Sequence, residues 1–530
     1  MGLPNQVYTR DQIAARILAG ENIVLLNNKV LRIPPSWLAT HPGGAVAILH
    51  FVGRNAADEV EAFHSDATLK RITRYVIGTV DIGKDGWKPF VPPIMSGWVR
   101  RTRKDGSTQW FNEADAVRDP KSASTGQILL VPKGEDSTSP SAPVLATIEP
   151  SPSSLSLKTQ HEHSLAYKEL HKRITEAGLY QTRYLAGYGP EIVRYIAFVL
   201  VSVFAYRQGW FVTSATFLGF FWHQITFTAH DLAHNGVTHN WVVDRLLGTF
   251  LADFLGGLSI NWWADNHNTH HLVTNHPSHD PDIQHLPFFA ISPAFLTSLW
   301  SSYYKRVMAF DALAKIIIPV QHYLFYVVMS LARFNLYALS YRYLALNAFK
   351  PKRATGGRWW WWTEVFALCL FYCWYGAVLK GCGNWWTALK YVLVSNIVPS
   401  PLHVQIVLSH FSRSTEDLGV TESFAARQLR TTADVICSPD VEFIHGGLHL
   451  QVTHHLFPRL PRHNLREASL LVKQFAQERG LEYAEFGFVQ GNKVVRGVLK
   501  QVAEQVKIVG MVADAHVREA IEDRKAAYDS

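Results

Sequence analysis

The chain has 530 residues, enough for several domains. Only 18% of them are charged, against a usual share of about 25%, while 48% are apolar, with 17 Trp and 29 Phe. The formal charge of +8 comes without a dominant run of Lys and Arg, which excludes a nucleic-acid-binding role and points to a membrane.

The four cysteines, Cys369, Cys373, Cys382 and Cys437, contain no CxxC pair, which speaks against a disulfide framework, a zinc–thiolate site and thiol redox chemistry. No apolar core follows the N-terminus, so no signal peptide is expected. Gln6 stands where a myristoylation signal at Gly2 wants Ser or Thr. The N-terminus is therefore expected in the cytosol.

Ile23-Val24-Leu25-Leu26, Asn27-Asn28 and Lys29-Val30-Leu31-Arg32-Ile33 read as a β-hairpin whose turn tolerates positive φ. His41-Pro42-Gly43-Gly44 then precedes a helical stretch at 45–52, and His64 follows 23 residues after His41. The Pro-Gly-Gly run lets the backbone turn tightly beside a flat ligand. Two histidines flanked by apolar helices can close on a haem iron from opposite sides. Singly, each would read as a loop or surface histidine. Residues 8–80 resemble cytochrome b5 in this HPGG box, in His64 and in the closing Tyr75-Val76-Ile77-Gly78. The resemblance implies a small α+β domain at 1–90, holding haem b on His41 and His64 for one-electron transfer.

Residues 91–160 are expected to be a flexible linker. From Asp119 to Gln160 the chain is rich in Ser, Pro, Thr and Ala, with too few apolar side chains to offset the entropy of ordering. It serves either as a leash for the haem domain or as a plain spacer.

The third region, 161–530, is expected to be an all-α membrane domain. Apolar stretches at 192–204, 210–228, 361–379 and 385–408 predict four transmembrane helices in two hairpins, with Trp clusters at the headgroup level. The stretch 241–260 carries Asp244, Arg245 and Asp253, and 316–339 carries Pro319, Gln321, His322, Arg333 and Asn335. Both are read as lying in the membrane plane. Lys350, Lys352, Arg353 and Arg358 follow the second stretch and favour the cytosolic side. Four spans leave both termini cytosolic.

Three histidine boxes then fall on one face: His230-Asp231-Leu232-Ala233-His234, His267-Asn268-Thr269-His270-His271 and Gln451-Val452-Thr453-His454-His455. Spacings of i, i+3 and i, i+4 put imidazoles on one side of a helix. His410 ends the last span and is a further candidate. One box can arise by chance; three on one face suggest a metal site with ligands enough for two ions. Imidazole suits Fe, Zn and Cu alike. A fused electron donor is of no use to redox-inert zinc and fits oxygen-activating iron.

The region 180–482 resembles the membrane fatty-acyl and sphingolipid desaturases in HDLAH at 230–234, HNTHH at 267–271 and QVTHHLFP at 451–458. The N-terminal haem domain and Gln451 are similar to the front-end subgroup, and the box sequences are most similar to its fungal sphingolipid delta-8 desaturases. The resemblance implies two non-haem irons held by His230, His234, His267, His270, His271, His410, His454 and His455. Gln451 either binds metal, orients a water or stands behind the ligands. The implied partners are a lipid substrate, with ceramide foremost, and NADH–cytochrome b5 reductase. The implied location is the endoplasmic reticulum membrane. Asp231, Asp265 and Asp280 are candidates to hydrogen-bond the ligand imidazoles, a solvated loop position being the simpler reading for Asp280. His239, His276, His279, His285, His445 and His449 are expected to support the fold or stand behind the ligands.

Residues 464–530 are helical in pattern, and Leu465, Ala468, Leu471, Val472 and Phe475 give one apolar face to a cap on the catalytic side. Two other enzymatic readings share these residues: a front-end fatty-acyl desaturase and a lipid hydroxylase. A haem electron carrier with structural histidines would need neither the second cluster nor the long membrane region.

Overall fold

The computed structural model describes residues 6–102, 107–114, 141–350 and 357–528. Residues 103–106 and 115–140 of the expected linker and the basic residues Lys352 and Arg353 lie outside them.

The haem domain is built on the predicted hairpin. Asn22–Leu26 pairs antiparallel with Lys29–Ile33, closing at Leu26 and Lys29, and Asn27 takes the positive φ of 56° that the turn demands. Val76–Val80 continues the sheet on the far side of Lys29–Ile33, and Val7–Tyr8 completes it in parallel. Apolar side chains facing inward (Ile13, Ile17, Ile23, Leu25, Val30 and Val80) form the core.

Much of the stretch expected as linker is ordered. Ile148 joins Trp87 and Phe90 in the core of the N-terminal domain, Val91 N–H donates to Ile148 O at 2.7 Å, and Arg10 pairs with Glu149 at 2.5 Å. Trp98–Thr102 and Thr108–Asn112 form a second hairpin, anchored where Trp110 Nε1 donates to Leu18 O at 2.8 Å. The described residues of this stretch up to Glu149 form a strap around the N-terminal domain, while Ser153 and Gln160 bond Leu418 O and Ser423 N–H in the other half. The low-complexity reading missed them because a few large aromatics suffice to dock a short segment.

The membrane region is largely helical, and against the all-α expectation it carries two short strand pairs, Leu299–Ser301 with Arg306–Met308 and Asp434–Ile436 with Glu485–Gly487. By length and composition, four helices among the described residues can cross a membrane: Tyr184–Arg207, Ala312–Ser330, Trp359–Lys380 and Trp385–Phe411. Three contain expected spans. The fourth expected span, 210–228, lies in the helix Phe211–Ala233. At 23 residues it is about 34 Å long, but it buries Ser214, His223 and Gln224 and is less apolar. It returns antiparallel beside the preceding helix after Gly209, whose φ is 76°. Trp222, Phe371, Tyr375 and Tyr391 fill the bundle between these helices.

Ala312–Ser330 is apolar enough to span, against the in-plane expectation, yet it is not one straight helix. A 3-10 turn at Ile318–Val320 divides it at Pro319. Its inner face is bound to the polar C-terminal helix Phe488–Tyr528: Gln321 Nε2 donates to Leu499 O at 2.8 Å and Arg496 Nε to His322 O at 3.3 Å. The helix Trp241–Gly248 is inverted relative to a soluble helix. Asp244 and Arg245 face inward, while Val242, Val243, Leu246 and Leu247 are exposed, as suits a helix lying against lipid.

The C-terminal helix Leu465–Arg479 buries Leu465, Ala468, Val472 and Phe475 as its periodicity predicts, with Leu471 packed alongside.

Candidate metal centre

The three boxes sit on three short helical segments that the fold brings to one point. His230 is in the last turn of Phe211–Ala233, with His234 as its C-cap. The second box lies in Ile260–Leu272, started by the Ser259 N-cap, which accepts from Trp262 N–H at 3.0 Å. The third lies in Gln451–Leu456. Asp434 holds the start of that helix, accepting from Val452 N–H at 2.9 Å and from the Tyr483 hydroxyl. At the far end, Tyr167 OH donates to Leu456 O at 2.6 Å.

The imidazoles fall into two groups. His230, His234, His267 and His454 have ligand nitrogens all within 4.8 Å of one another, and so do His270, His410 and His455. His271 stands between the groups, its Nε2 3.1 Å from Nε2 of both His267 and His454 and its ring stacked on His455 at 4.0 Å. All eight are 7% exposed or less. His230 Nε2, both nitrogens of His234 and His455 Nε2 are buried without a hydrogen-bond partner among the described residues. Buried polar atoms rarely go unsatisfied, and bare nitrogens aimed at common points are what metal ions would satisfy. Burial pushes His271, His454 and His455 well below the ordinary imidazole value, leaving them neutral, the form that binds metal.

Carboxylates orient these rings, though not quite the expected ones. Asp280 is fully buried and takes His270 Nδ1 at 2.8 Å while accepting from Asn275 N–H at 2.7 Å. The solvated reading of Asp280 is therefore wrong, because the 275–284 turn folds back over the box. Asp231 Oδ1 lies 3.4 Å from His230 Nδ1. Asp265 accepts from Tyr303 OH at 3.4 Å. The sequence reading passed over Asp282, which lies 3.3 Å from His267 Nδ1. Against the effect of burial, Asp280 and Asp282 hold the His270 imidazole above its ordinary value. Also missed was Gln428, whose Oε1 meets His455 Nδ1 at 2.9 Å while its Nε2 donates to His271 O at 2.7 Å. Asp282 had a signal, its place two residues after Asp280; Gln428, remote in sequence, had none.

Gln451 is buried one turn before His454, and its Oε1 has no partner among the described residues. His239 bridges Asn235 O and Tyr180 O, His276 faces Asp417, His279 meets Ser302, His285 packs near Phe411 and His445 meets Gln405. His449 groups with Cys437 and Glu442, but that carboxylate is already paired with Arg466.

The His41 and His64 rings face each other across 6.1 Å. His41 Nδ1 lies 3.1 Å from Gly44 O and His64 Nδ1 2.9 Å from Val60 O. These contacts orient the two facing rings, and the pair would hold a haem iron. Gly44 has φ 86°, and a Cβ on Gly43 would stand 3.1 Å from His41 Cε1, so both glycines of the box serve the ring's placement.

The two centres adjoin. Phe63, next to His64, meets the His271 ring edge-on at 5.9 Å. Leu272 packs in a haem-domain cluster with Val24, Leu31 and Phe51. His50 reaches Ser302 Oγ at 3.0 Å, which also holds His279.

Asp434 offers a test of how the third box is held. Burial raises its carboxyl to about 7, so the folded protein binds a proton there that the unfolded chain has released. Stability from this group is present below about pH 4 and lost as pH rises through about 7. The unfolding temperature in detergent should fall across this window. Asp434→Asn should flatten the fall, and an unchanged slope would show that other groups set it.

Residues 9–81 match the family described as cytochrome b5-like haem/steroid binding domain, and 208–487 match the family described as fatty acid desaturase. The chain is 42% identical over 529 residues to the Delta 8-(E)-sphingolipid desaturase of Emericella nidulans, covering 95% of each chain. It is 36% identical over 572 residues to the protein of that name from Candida albicans, covering 95% of this chain and 97% of the relative. The Delta(8)-fatty-acid desaturase 2 of Arabidopsis thaliana is 34% identical over 315 residues, covering 59% and 68%. With a bis-histidine cradle joined to a nest of buried imidazoles, and with these matches along nearly its whole length, the chain belongs to the cytochrome b5-fused members of the fatty acid desaturase family.

Proposed function

We propose that this protein is a membrane-bound, oxygen-dependent desaturase that introduces the delta-8 double bond into the sphingoid base of ceramides. The observation that carries the reading is the convergence of eight buried histidines, seven in two groups with His271 between them, where the His271 ring meets Phe63, the neighbour of His64 in sequence. The names of the relatives at 36–42% identity favour the sphingoid base.

His230, His234, His267 and His454 would hold one iron, and His270, His410 and His455 the other. His271 stands between, and Gln451 Oε1 is free to complete a shell. Bound iron supplies the oxidising power to remove two hydrogens from an unactivated chain, with dioxygen as the oxidant. The chain's own residues do the rest. Asp280, Asp282, Asp231 and Gln428 fix the tautomers of the ligand rings. The apolar packing of Phe63, Tyr167 and Phe457 keeps water from the histidine core. His41 and His64 would carry haem b, reduced by NADH–cytochrome b5 reductase. The spans would place both termini in the cytosol at the endoplasmic reticulum membrane.

Lipid mass spectrometry of cells expressing the chain tests the reading. Ceramide long-chain bases should appear two hydrogens lighter. A gain of one oxygen would make the enzyme a hydroxylase, and altered fatty acids beside unchanged sphingolipids would move the substrate.

A further inference from the structure

On the membrane side of the histidine core lies a second polar layer that the metal chemistry does not use. His223 and His403 stand seven residues before His230 and His410 on the same two helices. That is two turns, about 10 Å, from the ligands, and on nearly the same faces. His223 Nδ1 meets Gln224 Nε2 at 3.2 Å, and Arg194 donates to Gln224 Oε1 at 2.9 Å. Opposite, His445 Nδ1 meets Gln405 Oε1 at 2.5 Å. His403 Nε2 is buried without a hydrogen-bond partner among the described residues, within electrostatic reach of His223 and Arg333.

Polar side chains inside a membrane bundle are costly and mark function. Arg194, a charged residue near the start of a span, places the layer at headgroup depth. Most groups of the layer are imidazoles and carboxamides. Its imidazole and carboxamide groups both donate and accept hydrogen bonds, Arg194 is held on Gln224, and the nearby guanidinium of Arg333 donates to Gly256 O.

We propose that this layer binds the polar head of the lipid, hydrogen-bonding its hydroxyl and amide groups, and thereby measures which carbon reaches the metals. The proposal rests on the ceramide reading of the substrate. A neutral head with several hydroxyls and an amide matches imidazole and carboxamide partners. A separation of about 10 Å is on the order of an extended chain from such a head to its eighth carbon. His403 and Gln405 are then specificity-determining residues.

The test uses the full-length protein in detergent with two probes, ceramide and a ceramide lacking the terminal head hydroxyl. The native protein should favour ceramide by roughly tenfold in kcat/KM, the worth of one buried hydrogen bond. His403→Leu should bring the two substrates within about twofold by lowering ceramide turnover alone, and should let a second double-bond position appear. His403→Gln should restore most of the preference. Retained turnover of the deoxy probe shows that the variant is folded, and Gln405→Leu carries the same expectation should His403→Leu not fold. A preference and a product position unchanged in both variants would overturn the proposal. A native protein with no ceramide product would instead overturn the substrate reading and this proposal with it.

Discussion

His270→Ala is expected to abolish desaturation and to lower bound iron by about one ion in two. His270 supplies one of three clustered nitrogens in its group, with His410 Nε2 at 3.3 Å and the His455 ring at 5.0 Å. With a ligand gone, the remaining pair is a poor site for a divalent ion. The Asp280 carboxylate would also be left buried without its imidazole. Loss of an outer partner alone typically costs about 10–100-fold, so Asp280→Ala should fall in that range and His270→Ala below it. Product yield by mass spectrometry, read beside iron content, separates the two. A His270→Ala protein with full iron and full turnover would remove this residue from the metal site.

Arg462→Ala should destabilise the protein by about 3–5 kcal/mol. The guanidinium is 6% exposed and joins three parts of the chain. It pairs with Asp231 at 3.1 Å in the first box, with Glu191 at the start of the first span, and donates to Thr228 at 2.9 Å. Its removal leaves the buried Asp231 and the half-buried Glu191 without their cation. The same arginine follows the third box in sequence, so the variant should also loosen His230 and lower iron binding. Arg462→Lys should recover only part of the stability, because an ammonium cannot span the planar fork. Thermal unfolding in detergent measures both, and a midpoint within a degree or so of the native protein would show that the carboxylates find other partners.

What the chain revealed by itself followed local chemistry. The HPGG box, the hairpin around Asn27 and the three histidine boxes were legible because each is a short run with a fixed geometric consequence. The apolar face from Leu465 to Phe475 was legible for its period. What was not legible depends on contacts between remote segments. Asp280 reads as a loop residue until the turn after Asn275 buries it. Gln428 carries no local sign that it will hold His455. The strap around the haem domain was hidden because Trp87, Phe90 and Ile148 are too sparse to register against a Ser- and Pro-rich background, yet each finds a place in a core made elsewhere.

Leu272 gives the fusion a meaning beyond shared length. It is the residue after His271, yet its side chain is counted in the packing of the haem domain, while Ala62, beside Phe63, is counted in the packing of the histidine side. Each half therefore completes the interior of the other. With haem held by His41 and His64, an electron passing to the histidine core would move within one molecule, at a rate that does not depend on how much protein the membrane holds. A separately supplied cytochrome would lack the contacts that Leu272 and Ala62 make across the two halves.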